Sequence, residues 1–300
     1  MSSGALVLHA PAKINLALEV TGHREDGYHD IDTVMLTIDL ADEVRLTPNA
    51  GLDVQLRGPQ AAGIDVGDDL AGRAARALAE AAGRAPDVKI EVTKRIPSAA
   101  GLGGGSSDAG AVLRGLNRLW GLDWPLERLS AVAASLGSDV PFFLHCGAAR
   151  CTGRGERVEP LRDLRPLRML VLVPPVAPTN DKTARRYGAL APRDFSDGHR
   201  AWRLSQRLAR GAPPPTNDLV NAFEAVVERT ETELVAHYAS YRAAGAPQLH
   251  LCGAGPAVYV LVHEGARVAE LRRDIEALGA LVLEARTMPR LKALAIIQES

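Results

Sequence analysis

The stretch that decides the fold is GLGGGSSD, residues 101–108, which stands between a predicted strand and a predicted helix. Four of its first five residues are glycines, and glycine loses more conformational freedom on folding than any other residue. A tight connection between strand and helix needs only one or two glycines, and flexible linkers are usually longer and flanked by polar sequence. Consecutive exposed backbone N–H groups bind anions, and the following helix adds its positive end. We therefore interpret the stretch as a loop that holds phosphate.

The loop matches none of the widespread phosphate-binding or hydrolytic motifs. A Walker A loop needs a lysine after its glycines, and none follows here. The dinucleotide-binding fingerprint needs glycine at position 106, where this chain has serine. The HRD and DFG signatures of protein kinases, the G-x-S-x-G turn and the HExxH motif are also absent from the sequence. The sequence thus indicates a phosphate loop of another class.

Composition limits the class of protein. The chain has 300 residues, 46% hydrophobic and 24% charged, which is typical of a soluble globular protein. A net charge of −1 and 4% aromatic residues argue against nucleic-acid binding. Three cysteines without repeated spacing predict neither a disulfide framework nor a zinc site. The sequence also has no signal-peptide pattern and no run approaching ~18 apolar residues. We therefore expect a cytoplasmic protein without a nucleic-acid or membrane partner.

Hydrophobic periodicity predicts an α+β fold. In the first half we expect strands over residues 5–20 (two, joined near Pro11), 33–40, 43–48, 53–57 and 88–92, and helices over 69–82, 107–120 and 125–136. In the second half we expect a buried strand that begins near residue 165 and runs into a proline-rich turn, further strands near 249–253, 257–262, 281–286 and 291–298, and helices near 218–243 and 265–278. Residues 191–217, rich in Arg, Pro and Asp, are predicted to be irregular or mobile. This pattern suggests a small antiparallel sheet with helices on one face, beyond a domain boundary near residue 160.

Two charged residues are candidates for chemistry, although spacing alone leaves their roles open. Asp139 lies between Gly137 and Pro141 on a constrained turn, where aspartate is common for conformational reasons alone. Lys13 lies on an alternating strand after Pro11, where a lysine also serves to protect a sheet edge. Each residue is compatible with a position in a phosphate-binding cleft and also with a position on the solvent-exposed surface.

Several blocks of the sequence carry a family resemblance. Residues 97–108, P-x-x-x-G-L-G-G-G-S-S-D, closely resemble the ATP-binding motif of the GHMP kinases, which include galactokinase, homoserine kinase and mevalonate kinase. Residues 10–33 and 136–161 resemble the opening and the aspartate-bearing block of the branch that phosphorylates a cytidine diphosphate ester of methylerythritol. Residues 216–224 and 252–259 follow in the expected order, so the similarity spans most of the chain.

The resemblance implies a two-domain GHMP-kinase architecture with the active site in the cleft between the domains. The N-terminal domain, residues 1–160, would have a ribosomal-protein-S5-like fold, and the C-terminal domain, residues 161–300, a ferredoxin-like fold. The implied reaction transfers the γ-phosphoryl group of ATP to a hydroxyl of the methylerythritol moiety, in non-mevalonate isoprenoid biosynthesis. The implied partners are ATP, Mg²⁺ and a small-molecule cytidine diphosphate substrate.

The resemblance also assigns roles to individual positions. Lys13 and Asp139 match the catalytic pair, in which the aspartate accepts the hydroxyl proton and the lysine orients it or offsets developing charge. The substrate-binding positions are Asn15, Tyr28 and His29, the last two holding the cytosine. The ATP-binding positions are Lys94, Pro97, Gly101, Leu102, Gly103, Gly104, Gly105, Ser106 and Ser107. The two serines are the candidate ligands for magnesium.

Three other interpretations compete with this one. A GHMP kinase with a different acceptor would not need the Tyr28–His29 pair, whose implied task is to recognise cytidine. A non-catalytic relative that senses nucleotide would be expected to lack Lys13 or Asp139, and both are present. A nucleic-acid-binding protein is disfavoured by the net charge. One departure from the family pattern is Cys252, because Ser or Thr is more frequent there and a thiol is a weaker donor.

Overall fold

The strands of this protein form two sheets in a computed structural model that describes residues 4–177, 182–215, 218–263 and 267–299. The strands of the first sheet are β1 (Leu6–His23), β2 (His29–Thr47), β3 (Leu52–Arg57), β4 (Val88–Thr93), β5 (Ala148–Gly153), β6 (Arg157–Pro160), β8 (Val220–Asn221) and β12 (Ile296–Gln298). Those of the second are β7 (Arg168–Val173), β9 (His250–Leu251), β10 (Val258–Val262) and β11 (Leu281–Arg286). The chain leaves the first sheet after Pro160 and enters the second at Arg168, and we propose that the domain boundary lies between them.

Helices cover both sheets. They are α1 (Leu70–Ala81), α2 (Gly104–Leu119), α3 (Leu126–Leu136), α4 (Val140–His145), α5 (Lys182–Gly188), α6 (His199–Ala209), α7 (Ala222–Thr230), α8 (Thr232–Ala243), α9 (Val268–Glu276) and α10 (Arg290–Ala293). Within the described ranges, none of these helices is both long enough and apolar enough to cross a bilayer.

The second sheet confirms the predicted antiparallel sheet with helices on one face. Its strands follow the order β11-β7-β10-β9, and each neighbouring pair is antiparallel. Successive side chains of a strand point to opposite faces. Leu170 and Leu172 of β7 accordingly pack with Phe223 of α7 and Ile275 of α9, whereas Met169 packs with the core that contains β1 and α6. This packing brings residues of the second half against the first sheet.

The long strands of the first sheet differ from the prediction. Residues 5–20 were expected to form two strands joined near Pro11, but β1 continues through this point. A shift of pairing register against β2 between Pro11 and Lys13 absorbs the proline, which has no N–H to donate. Residues 33–40 and 43–48 likewise belong to one strand, β2. The bulge matters for the site because Lys13 follows it directly.

The prediction that residues 191–217 are irregular or mobile is wrong for residues 199–209. Helix α6 occupies the middle of this segment and packs against β1 and β2. Ala201, Leu204 and Leu208 are buried in it, a spacing of three and four residues that was hidden among the arginines. The N–H of Ala201 also donates to the buried Glu19 carboxylate at 2.7 Å. Residues 216–217 lie outside the described ranges.

Two further predictions in the second half need correction. The helix expected over residues 218–243 is two helices, α7 and α8, separated at Glu231 and preceded by β8. The strand expected over 291–298 begins as α10, and only β12 is extended. The strand β12 pairs with β1, so the end of the chain returns to the first sheet.

Helix α2 is fixed in the molecule by close approach at two glycines. A Cβ atom at Gly110 would lie 2.7 Å from the Cβ of Phe143 in α4, and one at Gly115 would lie 2.4 Å from a methyl group of Leu46. The tip of a leucine can rotate away, whereas the Cβ of Phe143 moves only with its backbone. Helix α2 begins within the glycine loop, and α4 begins directly after Asp139. The contact between the two helices therefore sets the distance between the loop and Asp139.

We expect Gly110→Ala to lower the free energy of unfolding by about 1–3 kcal/mol, because overpacking outweighs the helix propensity that alanine adds. Gly115→Ala is the matched control in the same helix and should cost less. Urea unfolding of both variants and the wild type measures the difference. Equal or greater stability of Gly110→Ala, relative to Gly115→Ala, would contradict this packing argument.

Candidate functional site

A cleft of about 880 Å³ is lined by residues of both halves of the chain. The glycine loop, β1, β2, the turn before α4, helix α5 and the turn at residues 253–254 contribute to its walls. Among the described residues that line it, Lys13, Arg154 and Lys182 are basic and Asp139 is the acidic one. A cleft with this excess of positive charge suits a polyanionic ligand.

The glycine loop has the conformation that its sequence suggests. Gly101 and Gly103 have φ of +88° and +73°, which favour glycine. A Cβ at Gly101 would lie 1.9 Å from the carbonyl oxygen of Cys252, and one at Gly103 would lie 3.1 Å from the Cγ of Lys13. The loop is therefore held between β1 and the turn that follows β9. Helix α2 begins at Gly104 after the N-cap residue Gly103, which has no side chain, so no N-cap side chain binds its first N–H groups.

The predicted ATP-binding positions divide into two groups. Gly101, Gly103 and Ser106 line the cleft. The side chains of the others are not part of its lining, and of these Lys94, Pro97, Leu102 and Ser107 are buried. The hydroxyl of Ser107 has no hydrogen-bond partner among the described residues. Of the two candidate magnesium ligands, Ser106 is therefore the one that faces the cleft.

Lys94 is buried beneath the loop. Its ammonium pairs with the carboxylates of Asp42 and Asp108, both fully buried. Burial lowers the pKa of Lys94, but Asp108 and Asp42 outweigh burial and raise the pKa above its ordinary value. The pKa of Asp108 is raised well above its ordinary range by burial. Asp42 also accepts the N–H of Ile96 at 2.8 Å. Lys94 thus ties the end of β4 to the second turn of α2, and its amine does not line the cleft.

Lys13 and Asp139 meet in the cleft. The Nζ atom of Lys13 lies 3.5 Å from a carboxylate oxygen of Asp139, whose side chain is 34% exposed. The same Nζ donates to the Oδ1 of Asn15 at 2.8 Å, and the amide of Asn15 donates to Thr33 at 2.8 Å. Lys13 is itself buried between β2 and the glycine loop, so the alternative that it protects a sheet edge is wrong.

Asp139 is placed by the turn that the sequence suggests. Helix α3 ends at Leu136, and Asp139 is the residue just before α4, whose second residue is Pro141. Its side chain accepts no capping hydrogen bond from α4 and lines the cleft instead. The carboxylate is therefore available to a ligand.

Tyr28 and His29 lie at the other end of the cleft. Tyr28 follows a tight turn in which the Asp26 carboxylate accepts the Tyr28 N–H at 3.1 Å. Its ring is 51% exposed and lies under the Arg154 guanidinium at 4.5 Å. The ring of His29 packs 5.0 Å from that of Tyr187 in α5. Burial, followed by the nearby His23, lowers the pKa of His29 below its ordinary value. A neutral imidazole can both donate and accept hydrogen bonds.

The residues that line this cleft and that the sequence did not reveal as site residues include Arg154, Lys182 and Tyr187. Arg154 and Tyr187 are distant in sequence from the Tyr28–His29 pair, and no spacing rule connects them. Lys182 carried a weak signal, because the chain has only five lysines, and two others, Lys13 and Lys94, are buried near the glycine loop.

Cys252 supports the loop through its backbone. Its carbonyl accepts the N–H of Gly255 at 2.6 Å, and its side chain is fully buried. Burial raises the pKa of the thiol to about 12. Gly253 and Ala254, and not Cys252, line the cleft, so the change from a hydroxyl to a thiol removes no group from its wall.

Comparison with known proteins agrees with this geometry. The family described as GHMP kinases N terminal domain matches residues 69–147, which contain the glycine loop and Asp139. The 4-diphosphocytidyl-2-C-methyl-D-erythritol kinase of Dehalococcoides mccartyi strain BAV1 is 39% identical over 259 residues, 86% of this chain and 90% of the relative. The enzyme of the same name from Symbiobacterium thermophilum is 40% identical over 268 residues, 88% of this chain and 94% of the relative.

Solved structures extend the comparison to the fold. A crystal structure of 4-(cytidine 5'-diphospho)-2C-methyl-D-erythritol kinase is 36% identical with a TM-score of 0.73, covering 94% of this chain and 98% of that one. The mevalonate kinase of L. major is 16% identical with a TM-score of 0.72 over 94% of this chain and 96% of its own, which shows a shared fold alone. The expected GHMP-kinase architecture is confirmed. This chain is an enzyme of the 4-diphosphocytidyl-2-C-methyl-D-erythritol kinase family, phosphotransferases of the GHMP kinase group with an alcohol group as acceptor.

Proposed function

We propose that this protein transfers the γ-phosphoryl group of ATP to a hydroxyl of the methylerythritol moiety of 4-diphosphocytidyl-2-C-methyl-D-erythritol, in isoprenoid biosynthesis. One observation carries the proposal: the Lys13–Asp139 pair lies in a single cleft with the glycine loop and the Tyr28–His29 pair. The relatives' names supply the identity of the acceptor. The chemistry of the cleft supports each of its parts.

The phosphates of ATP bind at the glycine loop. Gly101 and Gly103 let the loop pack closely against Cys252 and Lys13, and this packing holds the loop backbone at the wall of the cleft. The N–H groups at the start of α2 and the hydroxyl of Ser106 are donors for phosphate oxygens. Lys94, held by Asp42 and Asp108, keeps the loop and the helix start in fixed relation.

Asp139 accepts the proton of the acceptor hydroxyl, and Lys13 holds the carboxylate and stabilises charge on the transferring group. Phosphoryl transfer needs in-line positioning and neutralisation of oxygens more than covalent chemistry. The Nζ of Lys13 lies between Asp139 and Asn15, and Gly103 lies against its stem. Because both polar ends of Asn15 are engaged by Lys13 and Thr33, we propose that Asn15 acts on the substrate by positioning Lys13.

The cytosine of the acceptor binds against Tyr28 and His29. The exposed face of Tyr28 provides a stacking surface for a pyrimidine. His29 has a lowered pKa, so its neutral ring can hydrogen-bond the base edge near pH 7. The packing of His29 on Tyr187 fixes the ring in one orientation. Arg154, stacked on Tyr28, adds a cation for the diphosphate group.

Magnesium would enter with ATP. No group of three or more His, Cys, Asp or Glu residues with metal-binding geometry occurs in the described part of the chain. Magnesium bound to nucleotide keeps several waters and uses few protein ligands, which fits a cleft with one carboxylate. The hydroxyl oxygen of Ser106 would hold it. When bound, the ion neutralises phosphate charge.

We expect Asp139→Asn to lower kcat by about 100- to 10,000-fold and Lys13→Ala by about 100- to 1,000-fold, because each removes a group that acts in the transition state. The assay measures ATP-dependent phosphorylation of 4-diphosphocytidyl-2-C-methyl-D-erythritol by the purified chain. Asp53→Asn, in β3 outside the cleft, is the matched control and should retain wild-type activity.

Three outcomes would contradict the proposal. If the wild type phosphorylates a different small alcohol but not this one, the chain is a GHMP kinase with another acceptor. If the wild type binds ATP and phosphorylates nothing, it acts as a nucleotide sensor. Activity that survives Asp139→Asn would remove the carboxylate from the mechanism.

We expect Tyr28→Ala to raise the KM for the acceptor by about 10- to 100-fold, since stacking of one base contributes about 1–3 kcal/mol. The KM for ATP should stay within about twofold of wild type, because Tyr28 lies away from the glycine loop. Tyr28→Phe keeps the aromatic face and serves as the control. An equal rise of both KM values would show that Tyr28 supports the fold of the cleft and does not bind the base.

A further inference from the structure

Lys182 is the first residue of α5, and it joins two segments that are far apart in sequence. It is buried, and its ammonium donates to the carbonyl oxygens of Ala99 and Gly255. Ala99 comes two residues before Gly101 of the glycine loop. Gly255 closes the turn whose backbone lies against Gly101. The amine therefore sits where the loop meets the second half of the chain.

The charge of this ammonium is only partly balanced. Burying a cation costs free energy unless an anion or several acceptors offset it. Lys182 forms no ion pair within the part of the chain that the structure describes, and the nearby Glu231 is bound by Arg186 through two hydrogen bonds of 2.6 Å. Burial, then Arg186 and Lys13, lower the pKa of Lys182 to about 8, against the opposing effect of Glu231.

Lys182 also has a donor to spare. An ammonium carries three N–H groups, and two of them meet the carbonyls of Ala99 and Gly255. The third has no acceptor among the described residues. Lys182 lines the same cleft as Lys13 and Ser106. The two amines meet the same short turn, because the Nζ of Lys13 lies 2.8 Å from where a Cβ of Gly253 would be.

We propose that Lys182 is a phosphate-binding residue of the transfer site, which donates its third N–H to a β- or γ-phosphate oxygen of ATP held by the glycine loop. This proposal rests on the proposed function. Lys182 then supplies a cation from the second half of the chain, and Lys13 supplies one from the first half. Charge spreads over the equatorial oxygens of the γ-phosphoryl group during transfer, and a fixed cation beside them stabilises it.

The structure of α5 explains how this amine is held. Arg186, one helical turn after Lys182, is buried and anchored to Glu231. Tyr187, the next residue, packs on His29 at the opposite end of the cleft. The short helix therefore extends from the glycine loop to the Tyr28–His29 pair. These contacts hold α5 in place, so the amine of Lys182 is buried at a fixed position and is not a free surface group.

ATP binding should then be coupled to protonation of Lys182. A phosphate stabilises the charged form, so it raises the pKa of Lys182 above its value of about 8 in the free protein. Nucleotide affinity is full below this pKa and falls as the pH rises through it, by up to about tenfold per pH unit. The charged groups that act on Lys182 are Arg186, Lys13 and Glu231, and the Lys182→Arg variant below separates their effect from that of Lys182 itself.

The test is calorimetric binding of ATP, ADP and AMP to the intact chain, near pH 7 and about pH 9.5. For Lys182→Met we expect about 10- to 100-fold weaker ATP binding near pH 7, the typical effect of losing a hydrogen bond to a charged group. AMP binding should be unchanged, since AMP lacks the β- and γ-phosphates. Lys182→Arg, which stays protonated, should bind ATP equally at both pH values. Lys292→Met, an exposed lysine of α10, should behave as wild type.

Each contrary outcome is distinct. Unchanged ATP affinity in Lys182→Met, or an equal loss for ATP and AMP, would overturn the proposal. So would a wild-type pH dependence that persists in Lys182→Arg. Thermal melting shows whether Lys182→Met folds. If it does not, the comparison of ATP binding at the two pH values between the wild type and Lys182→Arg tests the proposal. A wild type that binds ATP but does not phosphorylate the cytidine acceptor would refute the proposed function and leave this test intact.

Discussion

The close approach of the glycine loop to the turn after β9 is the constraint on which the site depends. A Cβ at Gly101 would overlap the carbonyl oxygen of Cys252, so any other residue would push the two halves of the chain apart. The N–H of Ala257 donates to Ala100 at 3.1 Å and adds a direct link. The loop belongs to the first half of the chain and the turn to the second. Their contact therefore joins the two halves at the cleft and brings Lys13 and Lys182 to the same turn, residues 253–255.

The lysines near the glycine loop have two different roles, which depend on the groups that their ammonium ions contact. Lys94 is buried between Asp42 and Asp108, and its ion pairs with them join β4 to α2. Lys13 faces the cleft and keeps one carboxylate, Asp139, beside it. Lys182 has only carbonyl partners in the described structure. Among the described residues that line the cleft, three basic side chains lie where phosphate would bind, and Asp139 is the one acidic group and can accept a proton.

Much of the fold could be predicted from the sequence, because its elements have clear periodicity. The helix expected over 69–82 is α1, and the alternating strand at 88–92 is β4. The failures have physical causes. Helix α6 has only three buried apolar residues, which alternate with three arginines, and Pro11 is absorbed by a bulge that spacing does not reveal. The site was predicted where motifs are contiguous. Tyr187 and Lys182 were missed because only the folded chain brings α5 to the cleft.

The central claim is that one cleft aligns ATP and the cytidine acceptor across Lys13 and Asp139. A crystal structure with 4-diphosphocytidyl-2-C-methyl-D-erythritol and a non-hydrolysable ATP analogue tests it most directly. We predict that the acceptor hydroxyl lies about 2.6–3.2 Å from an Asp139 oxygen and in line with the γ-phosphate at the glycine loop. An acceptor bound with its hydroxyl away from Asp139, or triphosphate bound outside the loop, would contradict the account.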